Sequence, residues 1–355
     1  MMMTLDDLAR QTGAWLGGSG PLSEVVISSR ARLARNVASF NFATRMTPED
    51  KTDLERHARA AIEAEGVAAP GLYVDLFGAS PVDRKLLVER HLISREHEEA
   101  TGQRGVAIGA DERVSIMVNE EDHLRIQALL AGLAVGEAWR RVDEVDTALE
   151  RRLDFAFDPA YGYLTACPTN IGTGLRVSVM LHLPALAITR QIEKVFQAVA
   201  RLNLAVRGFY GEGTEATGHF YQVSNQSSLG KTEEEIVRNI EAVMPQIVEH
   251  ELGAREALLK KERLRLEDRT WRAYGMLRHA RTVSSDETLA LLSAVRMGVQ
   301  LGVLTGVPLK TVNELMVFTQ PAHLQKKEGR DLSPAERDAA RGAYLRARLA
   351  ELESN

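Results

Sequence analysis

Val106-Ala107-Ile108-Gly109-Ala110-Asp111-Glu112-Arg113-Val114-Ser115-Ile116-Met117-Val118 decides the fold. Val106 and Ile108, then Val114, Ile116 and Val118, alternate on either side of a turn at Gly109 to Glu112. Apolar residues with a period of two around such a turn are the signature of a β-hairpin. The chain therefore contains antiparallel pairing. Further strands are predicted to start at Val25 to Ile27 and to span Leu175 to Leu183, Leu204 to Phe209 and Phe220 to Ser224. Between them lie helical segments. Pro48 and the acids after it open a helix to about Glu65, with Thr47 as its N-cap. Ile126, Leu130, Leu133 and Ala134 recur at helical spacing and predict a helix directly after the hairpin. Pro184 to Leu202 reads as one more helix.

Strands and helices mixed in this way predict an α+β domain. Residues 1 to 23 form a short preface with a loop at Gly17 to Pro21, and the α+β domain is expected to span 24–255. From 256 to 355 the pattern is helical throughout. Ser284 with Glu287, and Ser333-Pro334 with Glu336, are capping-box starts of two helices there.

The 355 residues are 45% hydrophobic and 26% charged, an ordinary globular balance. The net charge of -5 argues against a dedicated nucleic-acid binder. The basic stretch near 255 to 281 is interspersed with Glu256, Glu262, Glu267 and Asp268, which suits a solvated or interface face better than DNA. Cys167 is the single cysteine, so no internal disulfide can form, and a reducing compartment is expected. No apolar run approaches the roughly 18 to 20 residues that span a bilayer. Asp6 and Asp7 interrupt any signal-like core at the N-terminus. A cytoplasmic enzyme or adaptor without a membrane partner is the expectation.

Two nucleotide signatures fail. Gly230-Lys231-Thr232 resembles the end of a Walker A loop, but Asn225 stands where its first glycine belongs, and the segment reads as a helix start. Gly211, Gly213 and Ala216 spell a dinucleotide pattern, yet turn and strand residues follow where a helix is needed. Arginines beside strand ends are the remaining candidates for phosphate chemistry: Arg30 and Arg32, Arg125, Arg176 and Arg207. Guanidinium forks match phosphate oxygens, and phosphoryl transfer needs mainly positioning and charge neutralisation. Taken singly, each of these arginines fits a solvated or salt-bridged surface residue better.

The whole pattern resembles the catalytic domain of the phosphagen (guanidino) kinases over about residues 24 to 255. The resemblance rests on Ser28-Ser29-Arg30-Ala31-Arg32, on Val118-Asn119-Glu120-Glu121-Asp122-His123-Leu124-Arg125, on Cys167-Pro168-Thr169-Asn170-Ile171-Gly172-Thr173 with Arg176, and on Arg207-Gly208-Phe209-Tyr210-Gly211-Glu212. It implies a mostly antiparallel sheet flanked by helices. It implies ATP as co-substrate, with Mg2+ held through phosphates and water. It places Ser28 to Arg32, His91, Arg125, the run Arg176-Val177-Ser178-Val179-Met180, and Arg207 to Glu212 at the nucleotide. A guanidinium is a poor nucleophile, because its lone pairs are delocalised and it is protonated, with a pKa above about 12. Two carboxylates can orient it and take its proton. By residue type alone Glu120, Glu121 and Asp122 are equal candidates, and all fit the acidic start of a helix. The resemblance selects Glu121 with Glu212, and matches Cys167 to the family's active-site cysteine, where a thiolate would face the substrate guanidinium and be open to oxidation.

Metabolite kinases of this family carry a helical domain before the catalytic one. Here the first motif arrives at Ser28, and the helical extension follows instead. That arrangement looks like the bacterial protein-arginine kinases, whose open site admits an arginine on a protein. Their phosphoarginine-sensing motif is similar to Arg337-Asp338-Ala339-Ala340-Arg341-Gly342, with glycine where the motif has alanine. Two arginines for the phosphate and one aspartate for the remaining N–H groups are chemically matched. On the residues alone this stretch fits a solvated helix face better. The resemblance further implies a zinc-binding activator protein, a heat-shock repressor, the Clp unfoldase-protease and a homodimer through the C-terminal helices. Rival expectations are a kinase for free arginine or another small guanidine, and a non-catalytic phosphoarginine adaptor.

Overall fold

The computed structural model describes residues 3–208 and 217–352. Among them, eight strands form one sheet in the order β2-β3-β4-β5-β1-β8-β10-β9. They are β1 (Val26–Arg35), β2 (Gly71–Asp75), β3 (Gly105–Gly109), β4 (Val114–Val118), β5 (Leu124–Ala131), β8 (Leu175–His182), β9 (Leu204–Gly208) and β10 (Phe220–Asn225). The short strands β6 (Phe157–Asp158) and β7 (Gly162–Tyr163) form a separate ribbon. Every neighbouring pair in the large sheet is antiparallel. The helices in chain order are α1 (Leu5–Arg10), α2 (Pro48–Glu65), α3 (Pro81–Glu89), α4 (Arg95–Glu99), α5 (Val135–Glu150), α6 (Pro184–Ile188), α7 (Ile192–Arg201) and α8 (Glu233–Lys261). The C-terminal set is α9 (Arg263–His279), α10 (Ser285–Gln300), α11 (Leu309–Phe318), α12 (Pro321–Glu328) and α13 (Pro334–Glu351). The fold is α+β, an antiparallel sheet flanked by helices with a helical C-terminal region.

The hairpin stands as read, β3 and β4 pairing Ala107 with Ile116. Thr47, Thr232 and Ser333 each close a reciprocal capping box with the acid three residues on. Thr232 thus starts α8, as expected of the failed Walker loop. Two expectations are corrected. The residues after the hairpin are strand β5 and not a helix, and α5 begins only at Val135. The predicted helix 184–202 is broken between α6 and α7, where Arg190 takes a left-handed φ of 57°.

The two faces of the sheet differ in chemistry. One face carries Ala31 and Leu33, Ile126 and Ala128, Val177 and Val179, and Val223 into the main core, together with Leu54, Val142 and Ile240 from α2, α5 and α8. Ala254 and Leu258 of α8 still pack in this core, so the helix carries the sheet's packing past residue 255. The opposite face is divided. At one end Leu129, Met180 and Phe220 pack with Leu277, Leu292, Val312 and Leu345 of the C-terminal helices in a second core. At the other end lie the arginines. Arg255 and Arg296 fasten the helices to the sheet: both donate to the Glu24 carbonyl (3.1 and 3.0 Å), and Arg255 donates to that of His182 (3.1 Å).

Candidate functional site

Strand alternation puts residues directly across an antiparallel pair on one face. Arg32 stands between Gln127 and Arg176, and Arg30 between Leu129 and Ser178. Arg125 is opposite Ala34, and Arg207 opposite Gln222. Five strands thus deliver Arg30, Arg32, Arg125, Arg176, Arg207, Gln127, Ser178 and Gln222 to one surface. Arg30 donates to Gln222 Oε1 (2.7 Å) and Ser178 Oγ (3.3 Å). Burial pushes its pKa down to about 9, and Arg125, Arg176 and Arg207 push it further in the same direction. Burial and Arg176 do the same to Arg125, to about 10. Both remain cationic at neutral pH. Like charges across a ladder oppose folding. Such a cluster is suited to a multiply charged anion. The Nε of Arg32 is buried with no hydrogen-bond partner among the described residues, a donor such an anion could satisfy.

His91 joins the cluster from the loop after α3. Its ring meets Trp15 edge-on, with centroids 5.3 Å apart. Burial holds its pKa down to about 3, reinforced by Arg30 and Arg95, so the ring is neutral. Gln127 Nε2 donates to its carbonyl (2.8 Å).

The turn between β4 and β5 separates the three acids that the sequence left equal. Asp122 is buried and accepts from Asn36 Nδ2 (2.6 Å) and the Ala166 backbone (2.7 Å). It staples this turn to the segment before Cys167. Glu120 ion-pairs with Arg125 and accepts from Ser94 Oγ (2.5 Å). Burial pushes the Glu120 carboxyl up to about 7, and Ser94 opposes that shift. The contact with Arg125 favours its ionised form. Glu121 alone of the three is exposed, at the tip of the turn. No helix starts there, so the helix-dipole account of these acids falls away.

Other expected positions divide by alternation. Ser29, Ala31, Val177 and Val179 turn to the opposite face. Ser29 Oγ bonds the Gly132 carbonyl (2.8 Å), and the others enter the main core. Their side chains therefore do not meet a ligand on the arginine face. Ser28 is buried across from Met180, which packs in the second core. Gly208 ends β9, while Phe209, Tyr210, Gly211 and Glu212 lie outside the described residues. Cys167 is half-buried, with Sγ 3.1 Å from Thr169 Oγ1. Asn36, Gln127 and Gln222 were missed. Polar residues at alternate places in apolar strands were the available signal for the last two. Among the described residues no group of three His, Cys, Asp or Glu could hold a metal, and no helix is long and apolar enough to cross a membrane.

Residues 53–254 match the family model described as ATP:guanido phosphotransferase, C-terminal catalytic domain. Residues 263–355 match that of the protein-arginine kinase McsB C-terminal domain. The chain is 50% identical to the protein-arginine kinase of Symbiobacterium thermophilum, over 96% of this chain and 98% of that one. The chain belongs to the protein-arginine kinases of the ATP:guanido phosphotransferase family. The Bacillus subtilis protein-arginine kinase is 44% identical over 96% of this chain and 94% of its own. The duplicated taurocyamine kinase from Schistosoma mansoni, solved with transition-state-analogue components, aligns with a TM-score of 0.60 at 30% identity. That match covers 70% of this chain and 36% of the duplicated one. Lombricine kinase aligns at 0.58 and 26% identity, over 70% of each chain. As a family member the chain is an ATP-dependent guanidino phosphotransferase.

In this kinase the stretch Arg337 to Gly342 lies on α13, away from the sheet arginines. Arg341 is buried and spends its donors on protein. Nε reaches the Thr319 carbonyl (2.8 Å), Nη1 the Val283 carbonyl (2.7 Å) and Asp338 (2.6 Å), and Nη2 Ser285 Oγ (2.7 Å). Arg337 Nη1 faces the Leu332 carbonyl instead (3.4 Å). The two arginines are therefore not arranged as a ready phosphate clamp. Ala339 is exposed and Ala340 half-buried. Gly342 has a packing reason, because a Cβ there would stand 2.6 Å from the Arg281 carbonyl oxygen. A separate cavity of about 740 Å³, lined by Arg10, Lys326, Lys327 and Tyr344, opens between α1 and α12–α13, and no residue of the arginine set lines it.

Proposed function

We propose that the chain transfers the γ-phosphoryl group of ATP to arginine side chains of proteins. The observation that carries this is the surface of five arginines from strands β1, β5, β8 and β9 beside the turn that presents Glu121. Its donors suit the triphosphate, which Arg30, Arg32, Arg125, Arg176 and Arg207 hold, with His91 at the nucleotide. Mg2+ enters with ATP and is held by phosphates and water, as suits an ion that dehydrates reluctantly. Glu121 and Glu212 grip the guanidinium, aim one nitrogen and accept its proton. That nitrogen forms the new bond to the γ-phosphorus, the bond to the β,γ-bridging oxygen breaks, and ADP leaves. The arginines neutralise the charge that develops on the transferring oxygens. Cys167 lies one residue beyond Ala166, whose N–H is held by Asp122, and its sulfur would face the guanidinium. In this reading Asp122 positions both Glu121 and Cys167.

Protein-bound arginine as acceptor is supported by the names of relatives matched over nearly their whole length, and by the C-terminal region they share. Residues 24–255 are then the catalytic domain and 256–355 the regulatory helices. Phosphoarginine sensing at Arg337 to Gly342 belongs to the same reading and requires Arg341 to exchange a protein acceptor for a phosphate. So do a cytoplasmic location, a homodimer, a zinc-binding activator, a heat-shock repressor target and delivery of marked proteins to the Clp protease in stress.

The test is incubation with Mg-ATP and either free arginine or an unfolded protein, followed by analysis for an acid-labile phosphoramidate. Label on the protein is expected. Label on free arginine alone would sink the protein-kinase reading, and no label with either acceptor would leave the adaptor.

A further inference from the structure

The segment that carries His91 is held from behind by a buried chain of charged groups reaching into the C-terminal helices. Glu89, the last residue of α3, accepts from the backbone N–H groups of Ala322 (2.8 Å) and His323 (3.1 Å). These belong to the first turn of α12, which has no helical partners for them. Glu89 also meets His323 Nδ1 at 2.8 Å. With Nδ1 donating to the carboxylate, Nε2 is left as acceptor for Arg90 Nη1, 3.2 Å away. Burial lowers the His323 pKa, against the pull of Glu89 and with the push of Arg90, as a neutral ring between the two requires. Arg90 then ion-pairs with Glu112 and donates to the Gln11 carbonyl (2.9 Å). All four side chains are buried, and Glu89 and His323 are 234 residues apart in sequence.

The phosphoryl-transfer chemistry uses none of these groups, yet Arg90 immediately precedes His91. His91 leaves α3 with a φ of 58°, a left-handed conformation that a residue with a side chain keeps only where its surroundings enforce it. Its N–H is spent on the Val88 carbonyl (2.9 Å) and its carbonyl on Gln127. With the backbone held on both sides, the ring stands against Trp15 and beside Arg30.

We propose that Glu89 and His323 are positioning residues for nucleotide binding, locking the end of α3 so that His91 completes the arginine face. This rests on the reading of His91 as a neighbour of the nucleotide. The same short connection from α11 to α12 also offers the Thr319 carbonyl to Arg341, so α13 and the lock hold one piece of chain.

The experiment compares the full chain with Glu89→Gln, His323→Phe and His91→Ala. KM for ATP and kcat are measured with an unfolded protein acceptor, and circular dichroism confirms folding. In Glu89→Gln and His323→Phe we expect KM for ATP to rise about fivefold or more, with kcat within about twofold, the pattern of lost nucleotide binding without lost chemistry. His91→Ala should raise KM at least as much. An unchanged KM in both lock variants, with a raised one in His91→Ala, overturns the positioning role and leaves the His91 reading standing. A raised KM in the lock variants alone also overturns it, since their effect would not pass through His91. No change in any of the three removes His91 from the nucleotide site. Should Glu89→Gln fail to fold, His323→Gln replaces it under the same criteria.

Discussion

The two faces of the central sheet are made by the same strands and obey opposite rules. On β8, Val177 and Val179 are fully buried among apolar neighbours, while Arg176 and Ser178, one residue to either side, belong to the arginine face. On β1, Ala31 and Leu33 alternate with Arg30 and Arg32 in the same way. The apolar face gains stability from each side chain it removes from water. The arginine face holds like charges together, and Arg30 bears the mutual repulsion of three others. A period of two lets one strand do both. The stable face fixes the backbone register, and the register sets which charges converge. The site is thus preorganised by residues that never touch a substrate.

The sharpest way to break this comparison is Arg30→Met. If the polar face works against folding and for binding, the variant should lose transfer without losing stability. Removing one preorganised charge donor from such a site lowers kcat/KM by about 100-fold or more. The melting temperature should stay level or rise, because a destabilised cation has been removed. Steady-state kinetics and thermal unfolding on the same sample decide it. A variant that melts early would show Arg30 to be a structural residue, and the contrast between the faces would fail.

Much of this architecture is legible in the sequence. The hairpin at 106–118 and the caps at Thr47, Ser284 and Ser333 are local signals, and the structure carries them all. Strand β5 was not legible, for a physical reason. Its Leu129 packs under the C-terminal helices, while Ala128 and Leu130 enter the main core. A strand buried on both faces loses its alternation, and its apolar positions then match helical spacing by accident. The arginines were identifiable as types, but their convergence depends on pairings such as Arg32 with Arg176 across 144 positions, which only register determines. The different surroundings of Glu120, Glu121 and Asp122 depend on Asn36, Ala166 and Ser94, to which the local sequence does not point, as well as on Arg125 in the same stretch. The Glu89–His323 contact lay beyond any local pattern.

A smaller and opposite effect is expected on the apolar face. Ile126 is fully buried, paired with Leu33 on one side and Ile116 on the other. Ile126→Val removes one methylene and should cost about 1 kcal/mol of stability, by the lost transfer energy and the small void. Transfer at a temperature well below melting should be unchanged, because register is kept. Denaturant unfolding gives the first number and kcat/KM the second. A loss of activity larger than the loss of folded protein would mean that the two faces are mechanically coupled rather than merely joined.

The smallest effect separates charge from shape within the polar face. Ser178 contributes a neutral hydroxyl to Arg30 at 3.3 Å, near the limit of a hydrogen bond, while Gln222 holds the same guanidinium at 2.7 Å. Ser178→Ala leaves the second contact and every charge in place. A neutral hydrogen bond of this kind contributes about 0.5 to 1 kcal/mol, so kcat/KM should fall only about two- to fivefold. Adding ATP should raise the melting temperature of Ser178→Ala nearly as much as that of the parent chain, and that of Arg30→Met far less. If Ser178→Ala behaved like Arg30→Met, aim rather than charge would limit the site. The repulsion among the arginines would then be a by-product of crowding forks onto one surface, and the difference between the two faces would lie in geometry before electrostatics.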